Sequence, residues 1–449
     1  MIPLRLKEIA AALGSVCRED KEVLSICTDS RKITKGCLFI ALVGERFDGH
    51  DFVASAFEQG AVAAVCSKAV EADGEVIAVE DTGLAFLQLA AYYRSLFSIP
   101  VVGITGSVGK TTTKEMVYAV LSEKYNTLKN EGNLNNEIGL PTTVFRLDAD
   151  YEAAILEMGM SAFGEISRLT KVAQPSVGII SKIGVSHIEH LGSREGILKA
   201  KLEILDGLKP GAPLIVNGDD DLLSTVKLND RRVIRFGIEN VENEYIAKDI
   251  QQGEQSTTFT VVFGGKVQTV TIPTVGRHNV YNALSAFAAG IELGVSPEQA
   301  ALGLEKYVTS GMRQRVRNFN GITMIEDCYN ASPDSVRAAI EVLVSMNAKT
   351  KALVFGDMLE LGSISAEAHA GLGKLAAEKG IDRLYTYGEM AALAAEAAKG
   401  NGIAFAKSFD DKKALASQLK ADLSAGDSVL FKASRGMKLE EAIAAFTEE

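Results

Sequence analysis

Apolar residues along the chain follow two alternating rhythms. Short β-branched or continuous apolar runs at 37–42, 61–66, 99–104, 153–156, 177–183, 351–355, 383–387 and 428–432 read as buried strands. Between them apolar positions recur at helical spacing: 6–13, 52–59 closed by Gly60, 84–97 stopped by Pro100, and 111–124, where Met116, Val117, Val120 and Leu121 form one face. Strand and helix in alternation predict mostly parallel sheets. The stretch 213–273 interrupts the alternation with β-rich sequence and a hairpin turn at Gly264-Gly265, and Asn320-Gly321 predicts a second hairpin. A chain of 449 residues is too long for one ordinary core. The pattern divides into an α/β protein of three domains: a small N-terminal α/β domain at 1–98, a central mononucleotide-binding α/β domain at 99–310, and a C-terminal Rossmann-like α/β domain at 311–449.

One strand-to-helix turn carries recognisable chemistry. In GITGSVGKTTT, Gly103, Gly106 and Gly109 let backbone amides turn inward toward an anion at the positive end of the helix. Ser107 and Thr112 belong to the same turn, Lys110 is placed to reach terminal phosphates, and the Thr111 hydroxyl to ligate Mg2+. The spacing departs from the strict phosphate-loop pattern, because Ile104 stands where glycine is expected. A glycine-rich turn without ligand is the alternative.

Other candidates collect where strands end. Glu157 directly follows one apolar run, and His187 and His190 follow another. With the strand before Gly103 they would share one carboxyl edge, where ligands gather in open α/β sheets. Glu157 then becomes the second-strand partner of Thr111 at a metal, unless it is simply solvated. In the following helix Ile197, Leu198, Ile204, Leu205 and Leu208 build an apolar stripe with Lys201 in its middle. An ammonium there needs a partner or a chemical change, or else must snorkel to the rim; Lys199 points off the stripe. Asn133, Asn135 and Asn136 cluster in 128–141, a stretch without apolar spacing, where asparagine forms turns as readily as it binds ligands. Asn279, near a helix start, is either a cap or a purine contact. Ser30 and Arg31 lie in a polar turn at 28–36 that can grip a phosphate or be plain surface. Asp357, Ser434 and Arg435 follow C-terminal strands, and Arg313 lies just past the second boundary, within reach of a phosphate if domains close.

Composition narrows the partners. Net charge is 47 − 58 = −11 without long blocks of one sign, which argues against a nucleic-acid surface or a basic membrane patch. The five cysteines are scattered and lack CxxC spacing, as expected of reduced thiols in the cytoplasm. No run of 18 apolar residues suggests membrane insertion.

Taken in order, TGSVGKTTTKE, NEGNLNNEIGLP, LEMG, VSHIEHLGS, KAKLEI, GRHNVYNA, EDCYNASPDS, GDMLELG and SRGM resemble the Mur ligases of peptidoglycan synthesis, most nearly the MurF branch. The likeness extends into TDSRKITKGCLFIALVGERFDGHDF and so spans nearly the whole chain. It implies an ATP-dependent ligase, acting as a monomer, that joins D-alanyl-D-alanine to UDP-N-acetylmuramoyl-tripeptide. Its three domains would bind, in order, the UDP end, ATP and the incoming dipeptide, closing about hinges near Ile99 and Ser310. On this resemblance Lys110 and Thr111 hold ATP and Mg2+, Glu157 and His187 complete the metal sites, Asn279 touches adenine, Asp327 holds the ribose and Arg313 meets the γ-phosphate. Lys201 matches the family's carbamylated lysine, a metal-binding anion derived from CO2. Ser30, Arg31, Asn135, Asn136, Asn330, Asp357 and Arg435 are the expected substrate contacts. Three positions depart from the usual pattern: Lys182 and Ser332, where asparagine is frequent, and Ala433, where glycine often precedes Ser-Arg. Two rival readings are a folylpolyglutamate synthase-like ligase and a phosphate-loop ATPase that drives a partner protein without forming a bond.

Overall fold

Val101–Thr105, Ala153–Glu157 and Val177–Ile180 are buried along their whole length, as strands covered on both faces must be. Alternate residues serve opposite layers. Val102 and Ile104 pack with Met116, Val117 and Val120 of the helix Lys110–Leu121 and with the long helix Arg277–Glu292. Val101, Leu156 and Ile180 pack with Ile166, Leu169 and Ile197 of the helices Glu165–Ala173 and Arg194–Leu202. The computed structural model describes residues 1–309 and 311–448; the hinge expected at Ser310 falls outside them.

These strands belong to a nine-stranded sheet ordered Lys266–Ile272, Thr257–Phe263, Tyr245–Gln252, Val233–Gly237, Leu214–Asn217, Val177–Ile180, Val101–Thr105, Ala153–Glu157 and Thr127–Lys129. Pairing is parallel from Thr127–Lys129 across to Tyr245–Gln252, and the last two strands add antiparallel. Their hairpin turns at Gly264 and Gly265, both at positive φ, as the tight turn requires. Val101–Thr105 lies between the strands ending at Glu157 and Ile180, so three carboxyl ends open on one floor at the switch point of the sheet.

The C-terminal sheet is ordered Arg315–Phe319, Ile322–Asp327, Ser428–Lys432, Lys351–Gly356, Arg383–Tyr387 and Phe405–Phe409, parallel except for the first strand. The N-terminal sheet has four parallel strands, Ser25–Cys27, Cys37–Ile40, Ala63–Cys66 and Glu75–Ala78.

Asn133, Asn135 and Asn136 lie in a loop, between the edge strand Thr127–Lys129 and the short helix Gly139–Val144. Tertiary packing of Leu140 and Val144 holds that helix, since six residues cannot sustain one alone. The expectation of a hinge near Ile99 needs correction, because that junction is not free. In the helix Thr82–Ser95, Tyr93 Oη donates to the Leu147 carbonyl at 2.6 Å, and the ring packs on Phe145 at 5.5 Å. The neighbouring Arg94 is 1% exposed and donates to the carbonyls of Ala173, Phe97 and Ile99 at 3.2, 2.6 and 3.0 Å. The helix Thr82–Ser95 thus shares a core with the central domain.

Candidate active site

The turn after Val101–Thr105 takes its shape from two glycines with no room for a side chain. A Cβ on Gly106 would lie 2.0 Å from Ser181 Oγ, and one on Gly109, at φ 86°, would lie 2.6 Å from Asn282 Oδ1. Ser181 Oγ in turn donates to the Val108 carbonyl at 2.6 Å, and Ser107 N donates to the Lys182 carbonyl at 2.8 Å, tying the turn to the next strand's end. The amides at the start of the helix Lys110–Leu121 face a cavity of about 660 Å³ lined by Ser107, Lys110, Thr111 and Thr112. Ser107 Oγ is buried there without a hydrogen-bond partner among the described residues, and such a group is costly unless a ligand completes it.

Thr111 Oγ1 donates to Glu157 Oε2 at 2.9 Å, and Asn135 Nδ2 to Glu157 Oε1 at 2.8 Å. The main chain of Glu157 is bracketed by the buried Asn130, whose Oδ1 accepts from its N–H and whose Nδ2 donates to its carbonyl. Lys114, fully buried on the phosphate-loop helix, donates to the Asn130 carbonyl at 2.9 Å and lies 3.6 Å from Glu157 Oε2. Among the described residues no three His, Cys, Asp or Glu side chains form a metal cage. A hydroxyl and one carboxylate on the cavity wall suit Mg2+, which keeps water and substrate phosphates as its other ligands.

Lys110 Nζ donates to the Gly106 carbonyl at 2.8 Å. Burial lowers its proton affinity, Glu157 opposes this, and the Arg313 charge adds to it. Two cations facing one cavity match a polyanion. Lys201 is 2% exposed, and burial first, then the Lys110 charge, holds its ammonium well below the ordinary lysine value; no carboxylate counters the shift. The helix Arg194–Leu202 tightens into a 3-10 turn at Glu203–Asp206, and Lys199 points to solvent.

The C-terminal domain supplies the opposite wall. Arg313 lies over the Tyr329 ring, 4.1 Å from its centroid. Asp327 Oδ2 is 2.9 Å from the buried Lys432 Nζ, which also donates to the Asn330 carbonyl at 2.6 Å. Asn279 Nδ2 donates to Gln314 Oε1 at 2.8 Å and to the Val275 carbonyl at 2.8 Å, across the line between domains. Lys182 Nζ is 3.3 Å from Asp334 at the start of the helix Pro333–Ser345. His187 Nδ1 is 2.7 Å from Glu360 Oε2, and the imidazole beside it holds the Glu360 carboxyl below the usual range.

Lys110, Thr111, Thr112, Asn135, Asn136, Glu157, His187, Asn279, Arg313, Asp327 and Asn330 thus line one cavity. Asn136 also serves as a turn former, accepting from Gly139 N at 2.8 Å. Ser30, Arg31, Gly106, Lys201, Asp357 and Arg435 do not line it. Arg31 pairs with Asp29 at 2.8 Å on the surface, Asp357 caps the helix Glu389–Gly400 through Ala391 N, and Arg435 pairs with Glu440 at 2.6 Å. Lys114, Asn130, Lys432 and Glu360 were missed by the sequence reading. The motifs TGSVGKTTTKE, NEGNLNNEIGLP and GDMLELG contain Lys114, Asn130 and Glu360, but nothing in them singled those residues out.

Comparison with known proteins agrees across the chain. The Mur ligase family catalytic domain matches residues 22–98, the Mur ligase middle domain 104–290, and the Mur ligase glutamate ligase domain 312–435. UDP-N-acetylmuramoyl-tripeptide–D-alanyl-D-alanine ligase of Bacillus subtilis is 43% identical, covering 99% of this chain and 98% of its own. A crystal structure of MurF from Acinetobacter baumannii superposes with a TM-score of 0.94 at 33% identity over 100% of both chains. MurF of Thermotoga maritima, in complex with ADP, does so at 0.86 and 31% identity, over 94% of this chain and 97% of that one. With three family domains matched in order along the chain and a relative 43% identical over 99% of it, this chain belongs to the Mur ligase family.

Proposed function

We propose that the chain is an ATP-dependent ligase that forms a peptide bond between UDP-N-acetylmuramoyl-tripeptide and D-alanyl-D-alanine, the last peptide addition in peptidoglycan precursor synthesis. The observation that carries this reading is the single cavity in which Lys110, Thr111 and Glu157 of the central domain face Arg313, Asp327 and Asn330 of the C-terminal domain. Nucleotide-linked substrates and reduced cysteines suit a cytoplasmic enzyme; among the described residues no helix is long and apolar enough to cross a membrane.

A terminal carboxylate oxygen of the tripeptide attacks the γ-phosphorus of ATP, and ADP leaves. Lys110 and Arg313 offset the charge that spreads over the transferring group. Thr111 and Glu157 would hold Mg2+, with His187 the further candidate ligand; the ion neutralises phosphate charge when bound. Asn279 and Asp327 would position adenine and ribose. The free amine of the dipeptide then attacks the acyl phosphate carbonyl, the C–O bond to phosphate breaks, and the amine loses a proton as the amide forms. Water competes for the same carbonyl, so both domains must cover the intermediate. Asn135, Asn136 and Asn330 line its surroundings, and Ser30 and Arg31 would receive the UDP end. We assign a carbamate to Lys201: a buried amine held neutral adds CO2 and releases a proton, becoming an anion beside Lys110.

Phosphate release from ATP by the full-length protein tests the reading. It is expected to require UDP-N-acetylmuramoyl-tripeptide and to become sustained, with ligated product, only when D-alanyl-D-alanine is added. Release indifferent to both would mark an ATPase of another kind. Release that needs a folate-type substrate instead would point to the other ligase class.

A further inference from the structure

The motif GDMLELG is unexplained by the cavity's nucleotide or metal contacts, since Asp357 is spent on capping a helix. The loop after the strand Lys351–Gly356 is nevertheless built with care. Met358 N donates to Nε2 of the fully buried His369, whose Nδ1 donates to the Ser365 carbonyl at 2.7 Å. Leu359 N donates to Ser434 Oγ at 3.0 Å, and Ser434 N donates to the Asp357 carbonyl at 3.1 Å. The SRGM segment is therefore a brace for this loop.

What the brace presents is Glu360, held at φ 62°, a left-handed conformation unfavourable for a side chain of this kind. Its carboxylate reaches out of the C-terminal domain to His187 on the central floor, and His187 itself sits at φ 62°. Two backbones held in the same rare region thus aim their side chains at one another across the domain boundary. Next to them, a Cβ on Gly362, at φ 53°, would lie 2.7 Å from Glu189 Cβ, so the loop fits the His187 segment without spare room. Nδ1 of His187 is buried, and among the described residues the Glu360 carboxylate at 2.7 Å is the one partner it meets. A carboxylate only accepts, so Nδ1 carries the hydrogen and Nε2 keeps its lone pair for the cavity.

We propose that Glu360 is a positioning residue that fixes the ring and tautomer of His187 when the C-terminal domain docks, so that the floor of the active site is completed only in the closed enzyme. This deepens the function proposed above and rests on it. Loss of the contact should leave nucleotide binding, made by the phosphate-gripping turn, almost unchanged while slowing turnover.

Glu360→Gly removes the carboxylate and suits a left-handed backbone, so it separates function from folding. In the full-length protein it is expected to melt no lower than wild type, to keep the KM for ATP within about twofold, and to lower kcat by about 10- to 100-fold. The Mn2+ affinity of the ADP-bound protein, read by the electron spin resonance signal of the free ion, should fall in parallel. In a double-mutant cycle, Glu360→Gly should cost almost nothing further once His187→Ala is present. Equal losses in both backgrounds, or wild-type kcat and Mn2+ affinity in Glu360→Gly, would overturn the proposal. Neither result would touch the ligase reading, which stands or falls on the substrate dependence of wild-type phosphate release.

Discussion

Replacing Lys201 by methionine separates two effects that a buried amine usually confounds. The side chain is 2% exposed in the helix Arg194–Leu202, and its ammonium is held well below the ordinary value near 10.5 by burial and by Lys110. Between that depressed value and the ordinary one, the unfolded chain binds a proton that the folded chain does not. Stability therefore rises with pH across the window and is lost as pH falls through it. Each tenfold weakening of proton affinity costs the fold about 1.4 kcal/mol. Methionine has similar length and no proton to lose, at a packing cost of about 1 kcal/mol. Near pH 7.5 and without CO2, Lys201→Met is expected to melt above the wild type, because the folded chain no longer holds an amine whose charged form burial disfavours. The gain should shrink toward pH 10, and bicarbonate should stabilise the wild type but not the variant. Turnover should fall about 100-fold or more, as expected when a charged active-site group is lost. Thermal melts across pH with and without bicarbonate, paired with product assays, provide the check. A variant less stable at every pH would mean that the ammonium is paired and satisfied. Wild-type turnover by the variant in bicarbonate would refute the carbamate.

Three further outcomes follow from the geometry. Gly106→Ala places a Cβ 2.0 Å from Ser181 Oγ, so ADP binding measured by calorimetry should weaken at least tenfold; unchanged binding would mean the turn does not grip the nucleotide. Glu157→Gln keeps the shape but not the charge next to Thr111, and should raise the Mg2+ concentration for half-maximal activity by about tenfold with little change in melting; no shift in Mg2+ demand would remove Glu157 from the metal site. Arg94→Met strands the buried Ala173 carbonyl and frees the half-buried carbonyls of Phe97 and Ile99, so denaturant unfolding should show a loss of about 2–4 kcal/mol; a loss under 1 kcal/mol would reinstate a loose joint at Ile99.

Much of this architecture can be read locally. The turns at Gly264-Gly265 and Asn320-Gly321 declare themselves because only a few residues accept positive φ, and all four adopt it. Lys201 declares itself as a charge in an apolar stripe. The phosphate-gripping turn is legible despite its irregular spacing, because the strand before it and the helix after it are both strongly periodic. The helix Gly139–Val144 is not legible, since its six residues depend on a core contributed by two domains. Lys114 gives no sign either: a lysine on a helix is normally solvated, and only Asn130 and Glu157, distant in sequence, make its burial tolerable. The pairs Lys182–Asp334 and His187–Glu360 join residues separated by 152 and 173 positions. No local pattern links such positions.

In the proposed reaction a substrate carboxyl oxygen becomes bonded to the phosphorus transferred from ATP. Supplying UDP-N-acetylmuramoyl-tripeptide with 18O in its terminal carboxylate, together with ATP and D-alanyl-D-alanine, tests this by mass spectrometry of the released phosphate. One labelled oxygen should appear in each phosphate formed with product. Phosphate free of label, while ligation proceeds at its normal rate, would contradict the claim.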